Sequence, residues 1–124
     1  MATTPPVRQY DAATTEDTIR AALAGLFPAL AGEALPTTLV FSGEGPTPEA
    51  AFEDALADIH DQAHTHGGAP VAVELEGWLR TDAGFRLWGT LGIDTQATSQ
   101  EERRWDMTLA ENEEGRWTLT MRNQ

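Results

Sequence analysis

The hydrophobic positions of this chain keep a helical period over most of its first half and a period of two after residue 70. From Thr14 the apolar residues Ile19, Leu23, Leu26, Phe27 and Leu30 fall on one helical face, with Thr14 placed to cap and Glu16 and Asp17 in the first turn. Gly25 and Pro28 weaken this helix; a kink or restart is expected at Pro28, with Gly32 ending the element. Residues 37–42, TTLVFS, read as a short strand, and the following GEGP reads as turn chemistry. The second helix is sharply bounded: Thr47 caps it, Pro48 takes the first-turn position where its missing N–H costs nothing, and Gly67-Gly68 close it. Phe52, Ala55, Leu56, Ile59 and Ala63 form its apolar stripe, which leaves Asp54, Asp58 and Asp61 to face water.

Beyond Pro70, Val71, Val73, Leu75 and Leu79 alternate with Glu74, Glu76, Trp78 and Arg80. After Asp82-Ala83-Gly84, the residues Phe85, Leu87, Leu91 and Ile93 alternate with Arg86, Trp88 and Thr90. Both apolar sets are odd-numbered, so unbroken alternation demands odd against odd, which excludes a two-residue loop at 82–83 and favours a three-residue loop with Gly84 left-handed. That register sets Leu79 opposite Leu87, Gly77 opposite Gly89 on the core face, and Trp78 opposite Trp88 on the outer face. The second hairpin repeats the x-x-Gly turn as Glu113-Glu114-Gly115. Here Trp105, Met107 and Leu109 answer Trp117, Leu119 and Met121, and Asp106 falls opposite Arg122.

The expected order is α-β-α-β-β-β-β: an α+β protein with two helices packed on one face of a mostly antiparallel five-stranded sheet. Residues 1–13, with Pro5-Pro6, read as a flexible N-terminal arm, and residues 14–124 as a single domain. No internal repeat is visible beyond the reused turn.

Composition narrows the chemistry. The 124 residues carry 20 Asp plus Glu against 8 basic residues, a formal net charge of −12, with no Cys. An acidic chain without a basic stripe argues against nucleic acid and anionic membranes as partners. The lack of Cys removes disulfides, thiolate nucleophiles and Cys-ligated metals. No basic, then apolar, leader and no long apolar run occurs, which points to a soluble, cytoplasmic protein.

Two sites stand out. His60, His64 and His66 are all the histidines of the chain, and His60 and His64 are spaced i, i+4, as a divalent metal would require of two imidazoles on one face. Such residues in a last turn also serve the helix C-terminus. The second site is the Trp78/Trp88 pair, surrounded by Arg80, Arg86, Glu74 and Glu76: an aromatic centre with a charged rim, the anatomy of an interface. Glu74 and Glu76, about 7 Å apart on one strand, read as an exposed polar strand face and not as an acid/base pair, since nothing in the sequence shows a pocket that would desolvate either. Ser42 in FSGEG is not a nucleophile elbow, and the same loop lacks the Lys of a phosphate-binding motif.

From Thr38 to Ile93, a strand, a TPEAA helix and a hairpin resemble the β-α-β-β layout of small flavin-binding dodecin-type modules. That resemblance implies Trp78 as the aromatic against which a flavin would stack. The residues themselves favour non-catalytic binding, through self-association or a protein partner at the Trp78/Trp88 face, with no cofactor required. The alternative is a flavin or divalent-metal binder using Trp78/Trp88 or His60/His64.

Overall fold

A computed structural model describes residues 7–27, 38–95 and 105–123. Eight elements follow in the order β1 (Val7–Ala12), α1 (Thr15–Leu26), β2 (Thr38–Gly45), α2 (Pro48–Thr65), β3 (Ala69–Thr81), β4 (Gly84–Asp94), β5 (Trp105–Glu111) and β6 (Trp117–Asn123). The expected helix boundaries hold where they are described. The Thr14 and Thr47 hydroxyls accept the N–H groups of Asp17 and Ala50, Pro48 opens α2, and Gly67 (φ 72°) follows its last turn. Helix α1 stops at Leu26, just before Pro28, which disfavours helical geometry in the residue preceding it. Pro28, Leu30 and Gly32 lie outside the described residues.

The α+β class stands, but the single five-stranded sheet does not. There are two three-stranded antiparallel sheets, ordered β1-β6-β5 and β2-β4-β3. The extra strand, β1, comes from the stretch expected as an arm: VRQYDA pairs along its whole length with β6. Its alternation is easy to miss, because only its inward residues Arg8, Tyr10 and Ala12 are partly buried.

The two sheets share a plan. In β2-α2-β3-β4 the first strand pairs with the last strand of a following hairpin, and the same is true of β1-α1-β5-β6. The first of these units is inserted between α1 and β5 of the second. The repeat is one of topology and leaves no sequence periodicity. Nor do the helices lie on one face of one sheet. α1 packs on β1 and β6 and also on β3, while α2 packs on β2, β4 and β3 and reaches β5. One core results, running through Ile19, Phe41, Leu56, Leu87, Leu119 and Met121.

Residues 43–45, expected as a turn, belong to β2. The absence of a side chain at Gly43 is a packing requirement: a Cβ there would collide with the Ala51 carbonyl and with Ala55 of α2. Close approach also lets polar groups of α2 reach the outer edge of β2. Asp54 Oδ2 accepts the Glu44 N–H at 3.0 Å, Asp58 Oδ2 accepts the Ser42 N–H at 3.0 Å, and Gln62 Nε2 donates to the Val40 carbonyl at 2.9 Å. Asp54 and Asp58, expected merely to face water, therefore seal a strand edge.

Candidate functional site

The β3-β4 hairpin decides which side chains share a surface. Its pairing is even against odd near the turn: Thr81 faces Gly84, Arg80 faces Phe85, Leu79 faces Arg86, Trp78 faces Leu87 and Gly77 faces Trp88. The two-residue loop Asp82-Ala83 is thus present after all. Two irregularities reconcile it with the apolar pattern, one between Val71 and Glu74 and one between Leu75 and Gly77. Each adds one residue to β3 and inverts the facing of the residues beyond it. At the first, Ala72 takes φ 50°. At the second, Glu76 is the unpaired, exposed residue.

The expected Trp78/Trp88 pair is consequently separated. Paired residues share a face, so Trp78, opposite Leu87, lies on the helix side of the sheet, where its ring stacks on Phe85 with centroids 5.4 Å apart. Trp88, opposite Gly77 and Ser42, lies on the outer side. The two arginines separate in the same way: Arg80 sits over Phe85 at 5.7 Å, and Arg86 over Trp88 at 5.9 Å. Gly77 is not opposite Gly89. A Cβ on it would overlap the six-membered ring of Trp88, so the indole lies directly on the strand backbone.

Three cross-strand rows make up this outer face: Val40, Thr90 and Glu74; then Ser42, Trp88 and Gly77; then Glu44, Arg86 and Leu79. Among the described residues the large apolar side chains left exposed are Val7, Val40 and Leu79, at 48%, 68% and 41%. Two of the three thus flank Trp88 on one surface. Sequence reasoning assigned Leu79 to the core because unbroken alternation put it there. Val40 carried a detectable signal: it is the even-numbered apolar residue between the odd-numbered Leu39 and Phe41.

His60 and His64 are also parted. His60 is 3% exposed and packs in the core with its ring 5.5 Å from that of Phe27, whereas His64 is on the surface. Among the described residues no group of three or more potential metal ligands comes together, and no helix is long and apolar enough to cross a membrane.

A cleft of about 450 Å³ opens between α1 and β3, walled by Ala24, Phe27, Val73 and Leu75, with Arg20 and Glu74 also lining it. The Arg20 guanidinium is held by Glu16 at 3.0 Å, Asp17 at 3.1 Å and the Leu75 carbonyl at 3.3 Å. A shallower depression of about 330 Å³ beside the start of α2 is lined by Glu44, Glu53 and Asp54.

Neither the protein-family models nor the curated protein sequences searched contain a match to this chain.

Proposed function

We propose that this protein acts by non-catalytic binding, associating with a second copy through the outer face of β2-β4-β3. The observation that carries this reading is the exposure of Val40 and Leu79 on either side of Trp88. Covering these groups removes apolar area from water. Trp88 is a suitable anchor, since its ring is already fixed against Gly77 and loses little freedom on contact.

Charge distribution also supports a second copy. Part of the acidic excess lies elsewhere, at Asp61 of α2 and in Glu111, Glu113 and Glu114 around the last turn, while the face pairs Arg86 with flanking Glu44 and Glu74. Two copies meeting here keep those acidic groups apart. Three strands offer less than the ~800 Å² per partner of a standard interface, so the dimer is weak, with Kd about micromolar or above.

Mass in solution across a concentration series tests the reading. Wild type should show a concentration-dependent dimer that strengthens with salt, because each copy carries −12 and screening relieves their repulsion. Val40→Asp and Trp88→Ala should remain monomeric. A wild type that is monomeric at every concentration and salt overturns self-association. A basic protein partner on the same face would instead bind less tightly as salt rises.

A further inference from the structure

We propose that the cleft between α1 and β3 is a binding site for amphiphilic organic cations, taking an alkyl or arylalkyl chain against Ala24, Phe27, Val73 and Leu75 and an ammonium group at its acidic rim. Its volume, about 450 Å³, lies within the ~300–1,000 Å³ span of small-ligand sites. Apolar walls with a few polar groups at the mouth are the usual construction of such sites.

The charge of the head group is set by the surroundings of the cleft. Residues 72–75 are consecutive and all line it. Glu74 and Leu75, beyond the irregularity at Ala72, point to opposite faces of the sheet, and β3 is its edge strand, so lining by both means that the backbone edge of β3 itself faces the cavity. The cleft already seats one cation: Arg20 bonds an edge carbonyl, that of Leu75, together with Glu16 and Asp17. Those two carboxylates more than neutralise the guanidinium. Glu74 adds a third carboxylate, exposed and without an ion-pair partner among the described residues. Counted with the two carboxylates that hold Arg20 from outside the cleft, the charges at and beside the mouth sum to a net negative value, and Glu74 supplies the acceptor not engaged by Arg20, which suits a donor-only ammonium and disfavours a carboxylate. This site is separate from the proposed dimer face except for Glu74, which borders both, so Ala24 is the residue that tests it alone.

The probes are n-octylammonium, octanoate and 1-octanol, which share a chain and differ in the head, titrated below their aggregation concentrations into the full-length protein and followed by calorimetry and amide chemical shifts. Octylammonium should bind saturably at one site, and octanoate roughly tenfold more weakly. Glu74→Gln should weaken octylammonium about threefold while leaving 1-octanol unchanged. Ala24→Trp, at an exposed helical position, should abolish binding of all three. If that variant is misfolded by circular dichroism, Ala24→Leu should still reduce binding. The proposal is overturned by absent or non-saturating octylammonium binding, by octanoate binding as well as octylammonium, or by a folded Ala24 variant that binds like wild type.

Discussion

Asp58 accepts the Ser42 backbone N–H at 3.0 Å, one helical turn from Asp54, which accepts that of Glu44, and one turn from Gln62, which donates to the Val40 carbonyl. Four residues of helix advance about 6 Å and two residues of strand about 6.7 Å, so a helix laid along a strand can offer one side chain to each outward backbone position. Edge strands invite pairing with other chains, and this arrangement prevents it. Asp58→Ala should cost about 1 kcal/mol in urea denaturation, and the Asp54→Ala/Asp58→Ala double variant about 2 kcal/mol. The double variant should also scatter light increasingly with concentration. Asp58→Asn, which keeps an acceptor oxygen, should lie nearer wild type. Unchanged stability in the double variant would show that the edge does not need this seal.

Gly77→Ala should lift the Trp88 indole off β3. The loss is expected at about 1–2 kcal/mol, the usual cost of overpacking a site that can partly yield. Fluorescence distinguishes this from a general loosening. The difference between Gly77→Ala proteins with Trp88 and with Phe at position 88 should show a more solvent-exposed indole than the same difference without the Gly77 change.

Ala72 occupies a left-handed conformation, φ 50°, at the first irregularity of β3. Ala72→Gly relieves roughly 1 kcal/mol of backbone strain but gives back a similar amount in unfolded-chain entropy, leaving stability within ~0.5 kcal/mol of wild type. Ala72→Val should lose about 1–2 kcal/mol, since β-branching suits this conformation poorly. Equal melting temperatures for the Gly and Val variants would refute the assignment of strain to this residue.

The last turn is expected to depend on Asn112, whose side-chain oxygen accepts the N–H groups of Glu114 and Arg116 at 2.9 and 3.0 Å, and on Gly115 at φ 81°. Asn112→Ala and Gly115→Ala should each cost about 1 kcal/mol by thermal unfolding. Because they act on one turn, the double variant should cost less than the sum of the single losses.

That turn was legible in the sequence, as was its consequence that Asp106 faces Arg122. The hairpin has no irregularity between turn and strand end, so alternation fixes its register. The limits of α2 were equally legible, because Thr47, Pro48 and Gly67 act through local geometry. The β3-β4 surface was not. Nothing local marks Glu76 as an extra residue, yet that residue moves Trp78 to the helix side, Leu79 to the outside and Gly77 beneath Trp88. Sealing of β2 by Asp54 and Asp58 was hidden for a different reason: a carboxylate that bonds a strand edge and one that faces water occupy the same polar side of a helix. His60 shows the converse, a polar residue at a metal-ligand spacing that lies in the core beside Phe27.

The insertion of one β-α-β-β unit inside the other also sets an order of assembly. Every partner of β4 is synthesised close to it in time, but β1 pairs only with β6, at the far end of the described chain. Contacts between distant segments carry the larger closure entropy and form late. As the chain leaves the ribosome, the inserted unit can complete its sheet while β1 still waits, its ladder groups open, for the β5-β6 hairpin. The sheet that joins the first and last described strands is then the natural place for unfolding to begin, and its β1-β6 amides should exchange with solvent before those of β4.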